Sequence, residues 1–360
     1  MSSTASFPQP GGDSQIGLTV GSYFGNLGRS VDLEENVLDP SEVNARDEDI
    51  DVAFWNIEWF NKNVDKKVRP VARFIADMNL DVWALEETSP QATERLVKLL
   101  EDAYGLDFDF NSSEPNAPNA KQSTTVMWNR NTVIGEKKSW PEEIEEVLRL
   151  SSQDNLEPLE QLEEAIHGKI FDRYPGLFHL RARNSTTLNF YLVPLHLKAM
   201  AEGSLRRQLA SRVLAAAVNR MIRDGKGGDW VLGGDINAPL SSGDFEQLDS
   251  AGLTAVSAQD AEAGAISYIK GPKSLIDHIY LSPNMAARFG AENFTIISAE
   301  KEIPKYTQEM SDHRPVMIRL NAGGGGEEEG IEEGVAADSD AKTFSLPTPD
   351  WLKNVVPLKK

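Results

Sequence analysis

Between residues 51 and 320, short apolar runs rich in β-branched and aromatic residues recur, each bounded by Gly, Pro, Asn or Asp. They are VAFW (52–55), VWAL (82–85), TTVMW (124–128), LNFYLVPLHL (188–197), WVLGG (230–234), LIDHIYL (275–281), FTIIS (294–298) and VMIRL (316–320). Runs of this length and boundary predict strands buried in an interior. Helical spacing lies between some of them. Val71, Phe74, Ile75 and Met78 make a stripe within 68–79, and TERLVKLLEDAYG (93–105) stops on Gly105. Residues 205–225 are Ala- and Leu-rich, with basic residues late and Gly225 at the end. Strands outnumber helices and the two do not alternate strictly. This predicts an α/β fold with mixed or antiparallel sheet rather than a Rossmann-type repeat.

The flanks have a different texture. Residues 1–50 are Gly-, Ser- and Asp-rich and read as an extended acidic arm. Residues 141–165 read as an acidic helical insert broken near Pro158, and 321–343 as a Gly/Glu-rich linker. Residues 344–360 regain Trp351, Leu352 and two valines, a segment suited to docking. No internal repeat is evident. The 360 residues suffice for one large domain or two average ones.

Charge sharpens this division. The net is -20. Nine acidic side chains face two basic ones in 1–50, nine face Arg149 alone in 141–165, and eight face four in 321–360. The rest of 51–320 is therefore close to neutral. Global acidity argues against strong nonspecific affinity for nucleic acid but leaves room for a local basic patch. There is no cysteine, which excludes disulfides, zinc–thiolate sites, iron–sulfur clusters and a cysteine nucleophile. No apolar run approaches the roughly 20 residues of a membrane span. The N-terminus shows neither a basic nor an apolar leader region, so the expectation is a soluble protein, cytoplasmic or secreted after loss of a signal.

The chemistry sits at the ends of the apolar runs. Asn56 and Glu58 follow VAFW, Glu86 and Glu87 follow VWAL, and His196 closes LNFYLVPL. Asp235 and Asn237 lie just past WVLGG, Asp277 and His278 inside LIDHIYL, and Ser311, Asp312 and His313 just ahead of PVMIRL. Functional groups at the mouths of core strands are what a rigid scaffold offers an active site. Carboxylates, an asparagine pair and histidines without soft ligands suit Mg²⁺ or Mn²⁺ better than zinc. Walker A, H-E-x-x-H and G-x-S-x-G patterns are absent, which removes P-loop, zincin and serine-hydrolase readings.

WNIEWF (55–60), DVWALEE (81–87), PLHLK (194–198), GGDINAP (233–239), SLIDHIYLS (274–282) and SDHRPV (311–316) occur in one order over about 270 residues. In that order they resemble the endonuclease/exonuclease/phosphatase, or deoxyribonuclease I-like, family. The resemblance implies a four-layer α/β/β/α sandwich with two packed mixed sheets. It implies a hydrolase of ester bonds that uses Mg²⁺ or Mn²⁺ and cleaves phosphodiesters, an endonuclease with nucleic acid as substrate. Asn56 and Glu87 would hold the metal, with Asp312 as a further contact. Asp235 would orient or deprotonate water, and Asn237 would bond the same phosphate. His313, polarised by Asp277, and His196 would grip the phosphate from two sides. Lys198, Arg206 and Arg207 are candidates for substrate phosphate.

Two departures stand out. Family nucleases often carry a tyrosine ahead of the strand matched by TTVMW, where Gln122 stands here, so that contact is lost or replaced. The tryptophan–cysteine–aspartate–arginine signature of the inositol-polyphosphate phosphatases is missing from LIDHIYL. A small phosphoester substrate and a silent binding protein on the same fold are the competing functions.

Plain readings compete residue by residue. GGDINAP alone reads as a turn, and Asn56 alone as a strand-end hydrogen-bonder. Glu58 and Glu86 read as solvated or supporting carboxylates. His278 should point away from Asp277, because strand neighbours alternate. His167 and His179 match no motif and read as surface or packing residues. Trp55, Trp59, Trp83 and Trp128 read as core, and the acidic insert as a solvated helical face.

Overall fold

The computed structural model describes residues 37–38, 43, 49–113, 122–150 and 170–321. The break expected near Pro158, His167, the linker and the segment with Trp351 and Leu352 lie outside the described residues.

The apolar runs form strands of two sheets. The first has seven: β1 (Val37–Leu38), β2 (Asp49–Asn56), β3 (Val82–Thr88), β4 (Phe108–Ser112), β5 (Ser123–Asn129), β12 (Phe294–Ile297) and β13 (Val316–Asn321), in the order β1-β12-β13-β2-β3-β5-β4. The second has six: β6 (Val133–Lys138), β7 (Leu177–Ala182), β8 (Asn189–His196), β9 (Trp230–Asp235), β10 (Thr254–Ala255) and β11 (Asp277–Leu281), in the order β10-β11-β9-β8-β7-β6. Both are mixed. β2 runs parallel to β3 and β8 parallel to β9, while β13 and β11 return antiparallel beside β2 and β9. Strand β1 comes from within the stretch read as an arm and pairs with β12 at the sheet edge.

Period-two alternation divides the apolar residues between layers. On β2, Val52 and Phe54 enter the core between the sheets, with Val231, Phe190, Ile279 and Ile318. Ala53 and Trp55 face outward onto helices α1 (Phe60–Met78) and α2 (Pro90–Tyr104), against Phe74, Ile75 and Leu96. Across the molecule, Leu232, Trp230 and Tyr280 pack on Leu214 and Val218 of helix α4 (Ser204–Arg223), the third core. Each buried side chain of this size stabilises its layer by roughly 2–3 kcal/mol. The acidic stretch begins as helix α3 (Glu142–Leu150), which buries Leu148 beside Trp140. The architecture is a four-layer α/β/β/α sandwich.

Two glycines set how closely the layers meet. A Cβ on Gly233 would sit 2.9 Å from the Phe54 ring across the sheet interface. Gly234 has φ 128, and its Cβ would come within 2.3 Å of the Leu195 carbonyl oxygen. Gly234→Ala therefore meets both backbone strain and a backbone clash. The expected loss is about 3 kcal/mol, read as a lower urea midpoint at unchanged slope. A midpoint equal to wild type would show that β9 has room to shift.

Candidate active site

The same alternation carries polar residues to one place. Asn56, Glu86, His196, Asp235 and Asp277 each continue the inter-sheet face of their strands, at the ends of β2, β3, β8 and β9 and the start of β11. His313 lies three residues ahead of β13, on the strand beside β2. The site is the mouth of the inter-sheet core. Backbone strain is concentrated at it: Glu58, Trp59, Glu87 and Asn237 have φ of 33, 54, 57 and 58. Such conformations cost on the order of 1 kcal/mol each and persist where the surroundings impose them. A register shift between Leu85 and Thr88 accounts for Glu87. It turns that carboxylate toward Trp59, whose N–H donates to Glu87 Oε2 at 2.7 Å, and leaves Glu86 between the sheets.

At the centre stand two imidazoles and two carboxylates. His313 Nδ1 lies 2.8 Å from Asp277 Oδ2, and its Nε2 lies 3.8 Å from Asp235 Oδ2. Burial alone would push the imidazole down, but Asp277 and Asp235 overcome it and raise the pKa to about 10. His313 is thus an imidazolium at neutral pH. Its backbone is fixed as firmly as its ring. Trp55 Nε1 and the Tyr306 hydroxyl both donate to its carbonyl, at 3.2 and 2.7 Å, and its N–H donates to Ser311 Oγ. The Ser267 hydroxyl donates to Asp277 Oδ2 at 2.5 Å and holds that carboxylate in turn.

His196 has the opposite character. Its Nε2 is 3.6 Å from Asp235 Oδ2, yet burial first, then Arg173 and His313, keep its pKa well below the usual value. It is a neutral donor or acceptor. Asp235 accepts from Asn56 Nδ2 and from the Asn237 N–H, both at 2.9 Å. Burial raises its pKa to about 7, against the pull of His313. Asn237 Nδ2 donates to the Leu197 carbonyl at 3.1 Å, so this amide braces the loop behind Asp235.

Among the described residues, Asp235, Asp277 and His313 bring one ligand-type atom each within 4.8 Å of the others. The His313 imidazolium offsets only part of the carboxylate charge of that trio. Hard oxygen donors stand beside it. Asn56 Oδ1 accepts the Glu58 N–H, and Glu87 Oε1 lies 4.0 Å from His196 Nε2. Asp312, raised by burial and by Glu58, lies 3.7 Å from Lys270 Nζ. Oxygen donors of this kind fit Mg²⁺ or Mn²⁺.

The expected arginines are paired with carboxylates of their own. Arg207 is buried and binds Asp244 at 2.7 Å, and it also donates to the carbonyls of Lys198 and Met200. It staples the loop after β8 to α4 and offers nothing to substrate. Arg206 is committed to Asp172 at 2.8 Å. Lys198 stands at the rim, half-exposed, 3.5 Å from the same Asp172. Glu86 is fully buried rather than solvated, both oxygens lack a hydrogen-bond partner among the described residues, and burial holds its pKa well above the usual range. Glu58 is ion-paired with Lys67 and Lys270. His278 points away from Asp277 as alternation requires, onto Ser257 and the Leu275 carbonyl. His179 packs on Tyr191. Trp55, Trp83 and Trp128 are core, whereas Trp59 is 45% exposed.

One residue went unread. Arg173 hydrogen-bonds Gln122 and feels the charges of Glu87 and Asp235, while burial lowers its pKa. A guanidinium thus reaches the site beside the glutamine that stands where the family tyrosine was expected. Its only sequence signal is a basic residue between the apolar pair Ile170–Phe171 and a Tyr-Pro-Gly turn.

The sequence model of the Endonuclease/Exonuclease/phosphatase family matches residues 53–313. Among solved structures, D. rerio TDP2 complexed with single strand DNA product is 15% identical, with 76% of this chain and 99% of that chain covered at a TM-score of 0.50. An endonuclease/exonuclease/phosphatase family protein from Bacteroides thetaiotaomicron is 16% identical over 76% and 97% of the two chains, at 0.49. The human Nocturnin catalytic domain with bound sulfate anion is 14% identical over 79% and 95%, at 0.47. No curated protein matches the sequence.

Proposed function

The chain belongs to the endonuclease/exonuclease/phosphatase family, and from that premise and the site we propose that it hydrolyses phosphodiester bonds in nucleic acid with the aid of a divalent cation. The observation that carries this reading is the His313 imidazolium, held by Asp277 at 2.8 Å and facing the Asp235 carboxylate at 3.8 Å. A phosphodiester is anionic and repels hydroxide, so its hydrolysis needs fixed positive charge on the phosphate and a positioned water.

His313 Nε2–H and the neutral His196 would donate to non-bridging phosphate oxygens from two sides, and the Arg173 guanidinium would add charge. Asp235, with both oxygens held by Asn56 and Asn237, would orient the water and take its proton as the new P–O bond forms and the old one breaks. Asn56, Glu87 and Asp312 would hold Mg²⁺ or Mn²⁺. The cation would draw charge off the phosphate and the departing oxygen. The neighbouring fold of D. rerio TDP2 with its single strand DNA product supports a strand rather than a small ester as occupant.

A nucleic-acid substrate predicts salt dependence, because Lys62, Lys66 and Lys270 flank the site. With about three phosphate contacts, kcat/KM on a single-stranded oligonucleotide falls roughly 20-fold between about 50 and 200 mM salt. Salt-insensitive turnover would move the reading to a small phosphoester.

A further inference from the structure

Next to the site a cleft of about 570 Å³ is bounded by Glu58, Trp59, Lys66, Lys67, Lys270 and Gln308. Its one aromatic wall is Trp59. The side chain is 45% exposed, where Trp55, Trp83, Trp128, Trp140 and Trp230 are all buried. The indole is presented by a backbone in the left-handed region at both Glu58 and Trp59. A large apolar ring shown to water on a strained turn is unfavourable twice over, through lost burial and through backbone strain. Nothing in the packing of α1 requires it, since Phe60, Val71 and Phe74 supply that helix's buried face.

The surroundings give the ring a chemical direction. Lys62 Nζ lies 3.9 Å from the indole centroid, over one face. Lys66 reaches across the cleft to the Gln308 carbonyl at 2.7 Å. Lys270 bridges Glu58 at 2.8 Å and Asp312 at 3.7 Å, at the edge shared with the candidate cation ligands. Buried Lys67 holds Glu58 from below. The Trp59 backbone N–H donates to Glu87, which anchors the residue beside the candidate cation ligands. A planar group stacked on the indole would therefore lie close to a phosphate bound at that site. Cations line its far side.

We propose that Trp59 is a stacking platform for the nucleobase next to the scissile phosphate of a single-stranded substrate, with Lys62 and Lys66 receiving the following phosphate. The inference rests on the nucleic-acid reading above and deepens it by naming which part of the strand is recognised. Stacking tolerates any base, because every base has a π-face, so the site selects a flexible strand with accessible bases rather than a sequence. Lys62 over the indole adds a cation beside the stacked ring.

The test compares a short thymidine oligonucleotide with the same backbone carrying tetrahydrofuran abasic residues, each also as its RNA counterpart. The full chain cleaves the base-bearing strand with kcat/KM higher by roughly 5- to 100-fold. Trp59→Ala brings that ratio close to one, and Trp59→Phe keeps most of it. In chelator, the base-bearing strand quenches part of the wild-type tryptophan emission and quenches none in Trp59→Phe, a readout independent of turnover. Equal cleavage of both strands by wild type would overturn the platform and leave the nuclease reading standing. A strand neither cleaved nor able to quench would overturn both.

Discussion

Asp235→Asn lowers kcat by about 10²–10⁴-fold, with the protein still folded. The substitution keeps the size of the side chain, removes its charge and basicity, and turns one acceptor oxygen into an NH₂ donor, so only one of the two bonds accepted from Asn56 and Asn237 is retained. Wild-type activity should also carry the signature of the pair in its pH profile. Asp235 works only ionised, so kcat/KM climbs as pH rises through its pKa of about 7. A bound cation adds positive charge and draws this limb to lower pH. His313 works only protonated, so activity falls as pH passes about 10. The expected profile is a bell, and Asp235→Asn removes its acid limb. Measurement of kcat/KM against pH for both proteins checks this. An unchanged acid limb in the variant would assign the base elsewhere.

Metal removal has the second large effect. Chelation with EDTA abolishes turnover, and Mg²⁺ or Mn²⁺ restores it, because the positive charge that Asn56, Glu87 and Asp312 would hold leaves with the cation. Glu87→Gln keeps the Trp59 N–H bonded but removes the anionic ligand, so half-maximal activity requires at least tenfold more Mg²⁺. This is a change in metal dependence that general destabilisation does not mimic. Full activity in chelator would rule out a metal-assisted reaction. A Glu87→Gln variant with the wild-type Mg²⁺ requirement would move the cation to other donors.

Most of this site was legible because two regularities coincide. Strand periodicity is short, so Asn56, His196, Asp235 and Asp277 can be placed at strand ends from the runs that precede them, and the mouth of a two-sheet core is where such ends converge. What was not legible depends on distance in the chain. Arg206 and Arg207 look available in LRRQL, yet their partners Asp172 and Asp244 lie more than thirty residues away in sequence. Arg173 reaches the site through Gln122, across 51 residues. Glu86 and Glu87 differ in fate because a bulge intervenes, and bulges have no reliable sequence mark in a run such as WALEET. Trp59 read as core because tryptophan usually is. Its exposure follows from the strained turn at Glu58–Trp59, which WNIEWF does not announce.

The central claim is that the buried Asp277–His313–Asp235 arrangement cleaves phosphodiesters in nucleic acid. The most direct measurement is cleavage of a single-stranded oligonucleotide by the full chain in Mg²⁺, with EDTA and with His313→Ala alongside, scored as shortened product. Cleavage that disappears with both the chelator and the variant is the predicted result. Cleavage retained by His313→Ala, or no cleavage by a well-folded wild type that does cleave small phosphate esters, would contradict it.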